Sequence, residues 1–368
     1  MLDPPAPILA AAGAGVYVAL RFFGIRQRVA RIRRDVIAEI VRILTNSPKT
    51  RRVLRPLGID WLLYYRRHRY LVRVTEGYRQ DCDRAALLDK VRGMNLSFTV
   101  TAGRSGTFFL HKLCSLLPDT TSLHEPDPAF HAHLRRIKSD PAFAKEFLLH
   151  YKLPWISNLP TRNYVELSHV FCKGFLEPLL ELGVVPNLIV LRRDPRLIAL
   201  SFFERDTVPE RTFYGIEYLL SPRYRGTLPL PGWRRMTDYQ LIFWYALEIE
   251  RRQREYSRLM QAAGGVVCDM TATELDDPQH FVELAKAQRL LSPAVDLDAL
   301  LREHAAIAKL SWNKNERPGR SFKRDFDIHA EEEAIWQAVS PSEPQLRSWV
   351  EQRYRTTGTA VAPALSSG

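Results

Sequence analysis

Three stretches of this 368-residue chain combine residue types and spacings suited to phosphate chemistry. The first is Ala102-Gly103-Arg104-Ser105-Gly106-Thr107, which follows the run LSFTVT ending at Thr101 and precedes apolar residues at helical spacing, Phe108, Phe109, Leu110, Leu113, Leu116 and Leu117. This order predicts a buried strand, a glycine turn and a helix. Glycines at 103 and 106 let the backbone approach an oxyanion, and the new helix offers it unpaired N–H groups and a positive dipole end. Ser105 and Thr107 add hydroxyl donors, and Arg104 adds a forked cation. The lysine and spacing of a Walker A loop are absent.

The second stretch is another apolar strand, Asn187 to Leu191, running into Arg192-Arg193-Asp194-Pro195-Arg196 and then LIALSFF. Pro195 suits the first turn of a helix. Ser201 then sits about two turns beyond Arg193, and the pair can share one side of the strand–helix junction. Two phosphate grips on two strand ends imply a ligand phosphorylated at two places, as in a 3',5'-bisphosphorylated nucleotide. The third stretch is His124-Glu125-Pro126 after TTSL, a short strand predicted over Thr120 to Leu123. Its carboxylate or imidazole could take a proton from an attacking hydroxyl.

With these residues the chain resembles the PAPS-dependent sulfotransferases, which move a sulfuryl group from 3'-phosphoadenosine-5'-phosphosulfate. In that family a [K/R]-S-G-T loop holds the 5'-phosphosulfate, matched here by Arg104-Ser105-Gly106-Thr107, with Gly103 before it and Phe108 after it. An arginine with a serine eight residues later holds the 3'-phosphate, matched by Arg193 and Ser201. The resemblance spans roughly Phe98 to Pro278, including a late strand GVVCD and the TELDDP segment behind it. The arginine-led loop, the Glu-Pro and Cys172-Lys173 look most like the bacterial and carbohydrate branch. That likeness implies Glu125 as the base; His124 is the second choice because an unperturbed imidazole titrates close to neutrality. Val165 to Cys172 reads as a buried strand, and Lys173 at its end would sit near the sulfuryl oxygens if that strand is adjacent. The Thr-His of the steroid and phenol branch is missing from that strand. A basic loop from Trp312 to Arg324 could close over the nucleotide through Arg317 and Arg320.

To hold these residues the chain needs a P-loop-like three-layer α/β/α domain with a mainly parallel sheet, expected over 95–350 and followed by a disordered tail at 356–368. Its hydrophobic content, 46%, is ample for such a core. The first hundred residues carry 19 Lys and Arg against 8 Asp and Glu, a net +11 of the chain's +12. We therefore expect residues 1–94 to be a basic helical region facing an anionic partner. Ala6 to Leu20 is apolar but short of the roughly 20 residues that span a bilayer, and 25–44 reads as an amphipathic basic helix suited to the surface of an anionic membrane. The segment from Trp61 to Tyr70 interleaves aromatics with arginines, but no nucleic-acid motif accompanies it.

Cys82, Cys114, Cys172 and Cys268 are scattered, which suggests no disulfide framework or zinc site and fits the cytosol, including the cytoplasmic face of a membrane. His131 and His133 read as surface residues, and Tyr239, Phe243, Trp244 and Tyr245 as helix core. The expected activity is sulfuryl transfer from PAPS, without a metal, to a hydroxyl of a glycan, glycolipid or other small molecule. The rivals are a P-loop kinase, which would need ATP, Mg²⁺ and the absent lysine, and a non-catalytic membrane-associated nucleotide-binding scaffold.

Overall fold

The computed structural model describes residues 55–310 and 326–355. The expectations for residues 1–44, for Arg317 and Arg320, and for the tail from 356 lie outside them. The chain divides between Ile59 and Asp60. The unit beginning at Asp60 carries everything below.

Its centre is a sheet of five parallel strands, β1 (Asn95–Val100), β2 (Thr120–Leu123), β3 (Asn163–Glu166), β4 (Asn187–Arg192) and β5 (Val267–Thr271), in the order β2-β3-β1-β4-β5. Asparagines open three of the strands and lock their register: Asn95 Nδ2 donates to Asn163 Oδ1 at 3.1 Å, and Asn187 Nδ2 to Asn95 Oδ1 at 2.8 Å. Alternate residues of β4 enter two separate cores, Leu188 and Val190 one, Ile189 and Leu191 the other. Helices cover both faces, as a parallel sheet requires.

The helices used below are α1 (Ile59–Glu76), α2 (Arg84–Arg92), α3 (Thr107–Cys114), α4 (Pro195–Glu204) and α5 (Asp238–Ala262). α3 follows β1 and packs Phe109, Leu110 and Leu113 into the core on one face. α4 follows the adjacent β4 and packs Ile198, Ala199 and Phe202 into the core on the other. Two neighbouring strands whose helices leave to opposite sides open a crevice beyond their carboxyl ends, where α/β sheets bind ligands. Tyr239, Phe243, Trp244 and Tyr245 of α5 are core residues, as expected. Among the described residues no helix is long and apolar enough to cross a membrane.

Several expectations need correction. The basic region does not stop at 94 as a separate part: residues 60–94 belong to the unit that carries the sheet. Their arginines advertise solvent, but Leu63, Tyr64 and Leu71 of α1 and Leu87, Leu88 and Val91 of α2 are buried. The strand read over Val165 to Cys172 ends at Glu166, and Phe171–Lys173 is a 3₁₀ turn. There the Ser168 carbonyl accepts from the Thr99 hydroxyl and the Ser168 hydroxyl from the Val170 N–H, bonds that break the ladder. His133 is 2% exposed. His131 is also enclosed, and burial pushes its imidazole down to about 3.

Candidate active site

A cleft of about 750 Å³ occupies the crevice between β1 and β4, a size suited to a nucleotide. The turn after β1 forms its floor. Gly103, Arg104 and Gly106 all have left-handed backbones, with φ of +84°, +61° and +88°. Such turns gather backbone N–H groups around an anion. A side chain at Gly106 would press on Ala272 at 3.0 Å, so glycine is required there sterically as well as conformationally. The Ser105 hydroxyl donates to the Gly103 carbonyl and stiffens the turn.

The two phosphate elements meet at Arg104. Its Nε donates to Ser201 Oγ at 3.1 Å, and its carbonyl accepts from Arg193 Nη1 at 2.6 Å. Arg193 and Ser201 thus share one side of the β4–α4 junction, as their spacing predicts. Asp194 caps α4 by accepting from the Arg196 and Leu197 N–H groups, with Pro195 opening the helix. Arg192, one residue earlier, has another task. It is buried and paired with Asp269 at 2.7 Å and Glu250 at 2.9 Å. Gln253 of α5 accepts from Arg192 and donates to the carbonyls of Val100 and Leu191, fastening the ends of β1 and β4.

The far wall carries the groups that could move a proton. The Thr107 hydroxyl hydrogen-bonds His124 Nε2 at 3.2 Å, and Phe108 meets the same ring edge-on. Glu125 has the unusual φ of +51° and sets its Oε1 2.5 Å from Nδ1 of His169. Burial alone would raise the Glu125 carboxyl, but the adjoining His169 outweighs it and holds the group down at about 2. Burial, with the Lys173 ammonium next, pushes His169 below the ordinary imidazole value. At neutral pH the pair is therefore a carboxylate accepting Nδ1–H from a neutral imidazole, which leaves Nε2 unprotonated.

His169 was not among the residues singled out from the sequence. Reading a strand through Cys172 hid it, although Ser168-His169 stands where the Thr-His pair was sought. It fits there because Gly103 has no side chain: a Cβ at 103 would lie 3.1 Å from the His169 ring. Lys173 does not reach the cleft wall. It is fully buried, its Nζ donates to the Tyr218 carbonyl, and burial pushes it down to about 7. The described residues hold no group of three or more His, Cys, Asp or Glu fit for a metal, and all four cysteines are free.

No protein-family model matches the chain, and no curated protein matches it.

The strained Glu125 is held from behind by a buried ion pair. Lys152 Nζ, fully buried, lies 2.9 Å from Glu166 Oε2 and donates to the carbonyls of Pro126 and Pro128, just past Glu125. Lys152→Met is expected to cost roughly 3–5 kcal/mol, because it leaves a buried charge without its partner. Lys152→Met/Glu166→Gln should recover part of that loss. Denaturant midpoints test this, and a loss below about 1 kcal/mol would mean that water reaches the pair.

Proposed function

We propose that this protein is a PAPS-dependent sulfotransferase built on a P-loop-like sheet, transferring a sulfuryl group to a hydroxyl of a small-molecule, glycan or lipid acceptor. The observation that carries this reading is the convergence of Arg104, Arg193 and Ser201. Two anion grips, one on each central strand, touch each other in one cleft, with a carboxylate–imidazole pair on its wall. The donor set fits a nucleotide with phosphates at both ends of its ribose: N–H groups of a glycine turn and helix start for one, a guanidinium and a hydroxyl for the other.

Bound PAPS would supply an activated sulfuryl group and an anionic leaving nucleotide. The chain's own residues then have three tasks. The Gly103–Thr107 turn and Arg104 stabilise charge that grows on the leaving phosphate. Arg193 and Ser201 fix the nucleotide so that the bond being broken lies in line with the acceptor oxygen. A base takes the acceptor proton. We assign that role to His169 Nε2 rather than to Glu125, since a carboxylate held near a pKa of 2 is a poor proton acceptor, whereas a neutral imidazole is a good one. Glu125 sets the ring's tautomer and orientation.

The test is incubation with ³⁵S-labelled PAPS and a panel of phenol, glycan and glycolipid acceptors. Label is expected in at least one acceptor class, with 3',5'-bisphosphoadenosine as co-product. Transfer from γ-labelled ATP with none from PAPS would favour a kinase instead.

A further inference from the structure

The aromatic and basic run in α1 is divided between two faces of the helix. Leu63, Tyr64 and Leu71 point into the protein, and Arg67 pairs with the buried Glu217 carboxylate at 3.0 Å. The opposite face exposes Leu62, Tyr65, Arg66, Arg69, Tyr70 and Arg73. Leu62, Tyr65 and Tyr70 are 54%, 57% and 66% exposed, large values for apolar side chains on a folded surface. At 3.6 residues per turn, Leu62, Arg66, Arg69 and Arg73 form one stripe, with the two tyrosines on its flanks. No Asp or Glu occurs between Asp60 and Glu76, so the helix itself brings no carboxylate to the stripe.

We propose that this face of α1 docks the protein on an anionic lipid surface. Charge complementarity selects the partner: three arginines on one helical stripe suit a plane of phosphate headgroups, where each basic residue strengthens binding about fivefold. Tyrosine rings and arginine stems are the side chains that settle at such an interface, with apolar bodies inward and polar tips in water. Leu62 gains by leaving water, which lipid offers and a polyanion does not. A nucleic acid fits less well, because Arg69 lies over the Tyr65 ring at 5.6 Å and Arg135 over the Trp61 ring at 4.9 Å, covering faces on which bases would stack. The face shares no residue with the cleft, so the inference stands apart from the sulfuryl-transfer reading.

The experiment is sedimentation of the full chain with phosphatidylcholine vesicles, with and without phosphatidylglycerol. Binding is expected only where phosphatidylglycerol is present. Arg66→Gln/Arg69→Gln/Arg73→Gln should weaken it about a hundredfold. The corresponding triple lysine variant should keep it, and Leu62→Ser/Tyr65→Ser/Tyr70→Ser should weaken it at unchanged charge. All six positions are exposed, so thermal midpoints should stay at the wild-type value and report intact folding. Wild-type vesicle binding by both the glutamine and serine variants would overturn the proposal, as would preference of the wild-type protein for an oligonucleotide over phosphatidylglycerol vesicles.

Discussion

His169→Ala is expected to lower kcat by roughly 10²–10⁴, the usual cost of removing a general base, while leaving nucleotide affinity near the wild-type value. The affinity should hold because Arg104, Arg193 and Ser201 form their grip without the ring. Glu125→Gln should also lower kcat, and it should move the pH profile in a particular direction. Activity needs His169 neutral, so it rises as pH climbs through the His169 pKa, which lies below the ordinary imidazole value, and is flat above it. The Glu125 carboxylate is what holds that pKa up against burial and Lys173. Replacing it with a neutral amide lowers the pKa further, so the acid limb should move to lower pH. If Glu125 were itself the base, its substitution would remove the limb instead of moving it. Stopped assays of kcat against pH for the two variants decide between these roles. A folded His169→Ala enzyme with near-normal kcat would return the role to Glu125 or His124.

The phosphate elements could be read from the sequence because their chemistry is local. Gly103 and Gly106 sit between a β-branched run and a helical one, and Arg193 and Ser201 are spaced by the helix that holds both. The short strand before His124 was equally readable, as was the apolar packing of α5. The Glu125–His169 pair was not, because it depends on β3 lying between β1 and β2 and on where β3 stops. A run such as Val165 to Cys172 looks uniformly strand-like, and the bonds of Ser168 to Thr99 and Val170 that end the strand come from the folded surroundings. The buried face of α1 was masked for a similar reason. Arg67 counts as solvent-facing charge until Glu217, 150 residues away, meets it. Lys152 carried no signal at all, since its partners Glu166, Pro126 and Pro128 come together only through the fold.

The largest effect on binding is expected at Arg193. Its guanidinium donates to the Arg104 carbonyl, and Arg104 in turn donates to Ser201; a 3'-phosphate at this junction would accept charge-assisted hydrogen bonds from it. Losing such a bond costs roughly 1.5–3 kcal/mol, or about ten- to a hundredfold in affinity. The substitution should therefore act on one end of the ligand and spare the other. The decisive measurement is calorimetric titration of the wild-type protein and Arg193→Ala with 3',5'-bisphosphoadenosine and with 5'-AMP. The wild-type protein should bind the bisphosphate at least tenfold more tightly than 5'-AMP, and Arg193→Ala should bring the two affinities together by weakening the bisphosphate alone. A wild-type protein that binds both nucleotides equally, or an Arg193→Ala protein that loses both to the same degree, would contradict the account.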